Sequence, residues 1–151
     1  MGKTLVSIMI LLNVMSAVSA LPLYKRFNIN ILNALDRGGP LKVHCRDLAG
    51  RDDKPYVFLD KRLQTYNLGF VVNPDLIYQC EIWMPSTDPQ QPQHHVRWNA
   101  FVADDAWFRG LCGSETPNEC RWAAKNDGIY VRDNPTGHYR LIYKWDVNFV
   151  K

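Results

Sequence analysis

His95-Val96-Arg97-Trp98-Asn99-Ala100-Phe101-Val102 sets Val96, Trp98, Ala100 and Val102 against His95, Arg97, Asn99 and Phe101. Side chains alternate faces along an extended chain, so this octapeptide reads as a strand with one apolar and one polar side. Just upstream, Met84 to His94 holds Pro85, Pro89 and Pro92 among Ser and Gln. Proline has no N–H to give to a ladder, so neither a helix nor an inner strand runs through that segment, and an exposed loop is expected. Further upstream Leu76, Tyr78, Cys80 and Ile82 alternate again. Two amphipathic strands on either side of a proline loop point to an all-β fold.

The rest of the chain repeats the pattern. Phe27-Asn28-Ile29-Asn30-Ile31 alternates, Asp36-Arg37-Gly38-Gly39-Pro40 turns, and Leu41-Lys42-Val43-His44-Cys45 alternates once more, so these two runs are expected to pair as a hairpin. Tyr56 to Leu59 and Tyr66 to Val72 are further apolar runs, the second ended by Asn73-Pro74-Asp75. Asp104 to Gly113 is irregular. After Cys120-Arg121-Trp122, the turn signals Asn126-Asp127-Gly128 and Asp133-Asn134-Pro135-Thr136-Gly137 bracket Ile129-Tyr130-Val131. In the last run Tyr139, Leu141, Tyr143 and Trp145 oppose His138, Arg140, Ile142 and Lys144. No helical stripe of three turns occurs. Eight or nine short strands separated by turns predict a single antiparallel β-sandwich.

The ends and the composition restrict what such a domain can do. Met1 to Ala20 has a lone Lys3, an apolar run from Leu5 to Val14 and Val18-Ser19-Ala20 at its close, the plan of a cleaved signal peptide. The expected organisation is therefore a signal peptide over 1–20 and one domain over 21–151, secreted and not inserted in a membrane. After cleavage 17 basic face 15 acidic side chains, with Lys25-Arg26 and Lys61-Arg62 the only adjacent basic pairs. A nucleic-acid partner would call for a basic face, so none is expected. The domain is expected to be a monomer.

Cys45, Cys80, Cys112 and Cys120 remain in the mature chain. An even count in a small secreted domain favours two disulfides, and spacings this long and irregular do not suit zinc. His94-His95 is a conceivable metal pair, but neighbours on a strand point to opposite faces, so neither a metal nor a cofactor is expected.

Leu41-Lys42-Val43-His44-Cys45-Arg46, Tyr78-Gln79-Cys80-Glu81-Ile82-Trp83, the Cys112 to Cys120-Arg121-Trp122 interval and Lys125-Asn126-Asp127-Gly128-Ile129-Tyr130 occur in that order. The combination resembles the plant self-incompatibility S-protein family over about Phe27 to Trp145. The resemblance implies secretion, a compact β-sandwich with two intramolecular bridges and, in the members that gave the family its name, a female-tissue ligand recognised by a pollen surface receptor. The chain departs from the family after His44-Cys45, where an acidic run ending in Leu-Gly is usual and Arg46-Asp47-Leu48-Ala49-Gly50-Arg51-Asp52-Asp53 stands instead. It departs again at Tyr66-Asn67-Leu68-Gly69-Phe70 and in the longer proline loop before His94.

Three disulfide pairings are open. Cys45 with Cys120 and Cys80 with Cys112 are favoured because each would tie distant segments, whereas Cys112 with Cys120 closes only a small loop. Most of the five tryptophans are expected inside, with Trp107 the one expected at the surface. The chain has no nucleophile elbow, zincin motif or phosphate loop, and no enzyme activity is expected. The leading reading is an extracellular ligand that binds an unidentified cell-surface receptor through its polar loops. The candidate contacts are Arg46, Asp47, Arg51, Asp52 and Asp53 in the first loop, Gln90, Gln91, Gln93 and His94 in the second, and Asp133 and Asn134 in the third. A carbohydrate-binding or defence protein is the alternative suggested by the aromatic richness. A small hydrolase using His44 or His138 comes third.

Overall fold

The computed structural model describes residues 23–84, 93–113 and 118–148, so the expected signal peptide and Gln90 and Gln91 lie outside the described residues. Among the described residues ten strands form two five-stranded sheets. The first sheet has β1 (Arg26–Asn33), β4 (Thr65–Val71), β7 (Glu119–Lys125), β8 (Gly128–Arg132) and β9 (Tyr139–Lys144), in the order β4-β1-β7-β8-β9. The second has β2 (Leu41–Asp47), β3 (Val57–Leu59), β5 (Ile77–Met84), β6 (Gln93–Val102) and β10 (Asp146–Asn148), in the order β10-β6-β5-β2-β3.

The alternation read from the sequence decides which side of each strand enters the core. Phe27, Ile29 and Ile31 on β1 are fully buried against Leu41, Val43, Cys80 and Ile82 of the opposite sheet, with Trp98 and Trp122 between them. Each large apolar side chain removed from water contributes about 1.5–3 kcal/mol, so this double layer is what holds the sheets together. Trp98, Trp122 and Trp145 are buried as expected, and the Trp122 indole N–H donates to the Ala100 carbonyl at 3.1 Å.

The expected hairpin between β1 and β2 does not form. They belong to different sheets, and β1 instead pairs antiparallel with β4 and parallel with β7, the one parallel pair among the described residues. An apolar face can be covered as well by crossing the sandwich as by pairing with its sequence neighbour. Buried Asn33 fixes the crossing: its amide donates to the carbonyls of Gly39 and Leu59, both at 2.9 Å, and its oxygen accepts from the Leu35 N–H at 3.2 Å. Gly38, at φ +60, takes the corner in a left-handed conformation that a glycine adopts without strain.

Two bulges break the sequence alternation. Tyr78 faces Phe101 while Gln79 faces Asn99, so Ala100 is an extra residue on β6, and Phe101 joins Trp98 and Ala100 in the core. On β9, Ile129 faces Tyr143 and Tyr130 faces Leu141; Ile142 is extra, and Leu141 is left at the surface.

The stretch read as irregular contains a helix, α1 (Asp105–Cys112), and Trp107 packs against the core rather than standing out. Asp104 caps the helix by accepting from the Trp107 N–H at 2.7 Å, and Gly113 at φ +79 ends it with its own N–H on the Phe108 carbonyl at 3.3 Å. Phe108 meets Phe27 edge-on at 5.4 Å, so α1 closes one end of the sandwich.

The disulfides also correct the expectation. Cys45 is joined to Cys80 and Cys112 to Cys120. Cys45 and Cys80 sit directly opposite each other on β2 and β5, with Cα atoms 4.1 Å apart, and Cys112 at the end of α1 lies 5.5 Å from Cys120 on β7. Loop length governs how much a bridge restricts the unfolded chain, but proximity in the native fold selects the partner.

Candidate functional site

The Arg46–Lys54 loop is fastened by its own charged groups. Buried Asp47 accepts from the Arg51 Nε at 2.5 Å and from the Ala49 N–H at 3.1 Å, and the same guanidinium reaches Asp75 through Nη1 at 3.0 Å. The Arg51 hydrogen bond holds the Asp47 carboxyl below its ordinary pKa. Asp52 takes hydrogen bonds from the Lys54 ammonium at 2.7 Å and the Tyr78 hydroxyl at 2.5 Å, which lower its pKa as well. Burial, with the bond to Asp52 second, raises the Tyr78 phenol, and Tyr66 is pushed up to about 12 by burial and the Asp52 charge. Asp53 meets His44 Nε2 at 2.7 Å. Four of the five residues singled out in this loop thus have internal partners; Arg46 stands exposed without an ion-pair partner among the described residues. Beside it Leu48 is 47% exposed, and Arg46, Asp47, Leu48, Gly50 and Asp53 line a cleft of about 320 Å³.

Of the other two candidate segments, one lies at the same end of the sandwich as this loop and the other at the opposite end. Asp133 accepts from the Thr136 hydroxyl at 2.5 Å and the Thr136 N–H at 3.2 Å, and Asn134 donates from its amide to the Glu119 carbonyl at 2.8 Å, so both shape their turn. That turn follows β8 and lies at the α1 end of the sandwich, as the Arg46–Lys54 loop does. Gln93 and His94 begin β6 at the opposite end. There His94 turns inward toward Trp145, with ring centroids 6.2 Å apart, and lines a cleft of about 430 Å³ with Leu35, Asp36, Arg37 and Met84. His95 turns outward, as neighbouring strand residues must.

A surface that sequence reasoning missed lies on the outward side of the second sheet. Register places Phe58, Lys42, Trp83 and His95 side by side across β3, β2, β5 and β6, and His44, Glu81 and Arg97 form the next row. Tyr56 covers this face: it stacks on His44 at 4.5 Å and lies 5.9 Å from Trp83, with the Lys42 ammonium 4.0 Å from its ring centre. Trp83, expected in the core, instead stacks on His95 at 5.0 Å. Glu81 is buried between Arg97, at 2.8 Å, and His95, at 3.4 Å. Burial acts to raise its pKa, but the hydrogen bond and charge of Arg97, with the His95 contact, outweigh it and leave the carboxyl below its usual value. Alternation marked Lys42 and His44 as outward neighbours; their juxtaposition with Phe58, Trp83 and His95 depended on strand pairing.

The molecule is thus a small two-sheet β-sandwich stapled by two disulfides, with a fastened loop at one end and beside it an aromatic sheet face that holds Lys42. Residues 28–145 match the family described as plant self-incompatibility protein S1, and the chain belongs to that family. It is 26% identical over 129 residues to S-protein homolog 1 of Arabidopsis thaliana, covering 85% of this chain and 77% of that protein. The fold is shared with a solved SPH (self-incompatibility protein homologue) protein at TM-score 0.55 and 22% identity, over 80% of this chain and 95% of that one; that protein is described as one of a widespread family of small, highly stable, secreted proteins from plants.

Proposed function

We propose that this chain is a secreted recognition ligand without enzymatic activity that engages a cell-surface receptor protein through the Arg46–Lys54 loop. Membership of the S1 family and the two bridges support an extracellular setting. The observation that carries the reading is the division of labour in the loop. Asp47, Arg51, Asp52 and Asp53 hold its shape, while Leu48 and Arg46 point outward over a cleft. A loop already held in its binding shape loses little conformational entropy on docking, which converts a small contact into useful affinity.

The test is binding of the labelled, secreted protein to intact plant cells. Leu48→Ser and Arg46→Ala are each expected to weaken saturable binding by about tenfold, the effect of removing an anchor from a small interface. Leu63→Ser, at an exposed position before β4, should bind as the parent does. Equal binding by all three variants would show that the receptor contact lies elsewhere.

A further inference from the structure

The outward face of the second sheet has a composition that neither folding nor the receptor loop explains. Phe58 and Tyr56 are each 52% exposed, although neither closes a core contact that requires exposure, and Lys42 has no ion-pair partner among the described residues. Its ammonium lies 4.0 Å from the Tyr56 ring centre and 5.2 Å from that of Trp83, a cation held against two aromatic faces. We propose that this face binds an acidic, extended oligosaccharide of the polyuronate class. Aromatic rings offer flat apolar surfaces to the C–H faces of sugar rings, and Lys42 between them takes the carboxylate.

The spacing and the charges both favour that occupant. Phe58 and Trp83 flank Lys42 in one transverse row, two strand spacings or about 9.6 Å apart, close to the length of two pyranose rings in an extended chain. The row continues to His95. The other groups on the face are Arg46, Gln79, Gln93, Arg97, Asn99 and, next to His95 on β10, exposed Asp146, with His44 engaged by Asp53 and Glu81 engaged by Arg97 and His95. Asp53 and Glu81 have partners and Asp146 lies at the far edge of the row, three strands from Lys42, so the charge that meets a ligand lying over Phe58 and Trp83 is that of Lys42. A neutral glycan would leave that charge unused. A protein docking on the same rings is the competing occupant, and the test separates the two.

The experiment is titration of the intact secreted protein with hexagalacturonate, followed by amide chemical shifts and tryptophan fluorescence, with cellohexaose as the neutral counterpart. Saturable binding is expected with shifts centred on Lys42, Phe58, Trp83 and His95, weakening as salt rises. Lys42→Met should reduce affinity about tenfold and Phe58→Ser severalfold, while unchanged far-UV dichroism shows that both variants fold. Cellohexaose should bind at least about tenfold more weakly, since it lacks the charge Lys42 would meet. Absence of saturable binding to hexagalacturonate, shifts located elsewhere, equal affinity for the two sugars, or full affinity in Lys42→Met would each overturn the proposal. If Phe58→Ser abolished cell binding while hexagalacturonate failed to bind the parent protein, the occupant would be a protein. The Leu48 variant separates this site from the receptor loop, because Leu48→Ser should leave sugar affinity unchanged.

Discussion

Replacing each cystine by an alanine pair tests whether the two staples act through the unfolded chain. In the chain-entropy description, stabilisation rises with the logarithm of the loop closed, and the loops here span 35 residues for Cys45–Cys80 and 8 for Cys112–Cys120. At 25 °C the relation gives about 3.8 kcal/mol for the longer loop and about 2.5 kcal/mol for the shorter. Both bridges are buried, so the alanine pairs add similar packing losses and the difference of about 1.3 kcal/mol should survive. For a domain of this size 1 kcal/mol corresponds to about 4 °C in Tm, so loop closure alone should lower Tm by about 15 °C in Cys45→Ala/Cys80→Ala and about 10 °C in Cys112→Ala/Cys120→Ala, with the packing losses adding similarly to both. The assay is thermal unfolding followed by far-UV circular dichroism at fixed pH, with urea titration as a second route to the free energies. A Cys112–Cys120 deletion that costs more than the Cys45–Cys80 deletion would refute the loop-closure reasoning. It would place the effect of the short bridge in the folded state, where it ties α1 to β7.

Two further stability predictions rest on buried polar groups. Asn33→Ala leaves the Gly39 and Leu59 carbonyls without their amide donor in a fully buried site, and a loss of about 3 kcal/mol is expected in urea unfolding; less than about 1 kcal/mol would mean that the crossing does not depend on Asn33. Asp47 and Asp52 have pKa values lowered by folding, so their contribution is fully present above the ordinary carboxylate range and is lost as pH falls through the lowered folded-state values. Stability should therefore decline on acidification through and below about pH 4, and Asp47→Asn should flatten that decline, with the gap in Tm between parent and variant narrowing as pH falls. A gap that stays constant from neutral to acid pH would remove Asp47 from the acid response.

The sequence exposed the strands more readily than their partners. Phe27, Ile29 and Ile31 were legible as a core face because a period of two survives in any sheet that buries one side. Phe101 was assigned to the outward face because the bulge at Ala100 shifts the phase by one residue, and a single inserted position leaves no compositional mark. The eight-residue α1 was too short for helical periodicity to show, although Asp104 and Gly113, its caps, are the residue types that start and end helices. Pairing of β1 with β4 and β7 joins residues far apart in the chain, and local alternation carries no information about it. The same limit applied to the site: the polar loops could be seen, but Asp47, Asp52 and Asp53 turned out to have internal partners that only the fold brings within reach.

That limit has a consequence for reading charge. With 17 basic and 15 acidic side chains after residue 20, the chain looks nearly neutral, and neutrality argues against an anionic partner only if both signs are equally available. They are not. Asp47, Asp52, Glu81 and Glu119 are engaged by Arg51, Lys54, Arg97 and Arg121, and in three of these pairs, all but Asp52 with Lys54, the cation is much the more exposed partner. Lys42 and Arg46, outside those pairs, lie four residues apart on the outward side of β2, with His44 between them. Of the acids on that face, Asp53 and Glu81 are held by His44 and Arg97, and Asp146 stands three strands away at the β10 edge. The charge a ligand meets over β2 is therefore that of Lys42 and Arg46, and its sign follows from which groups the fold has paired and where it has put the rest.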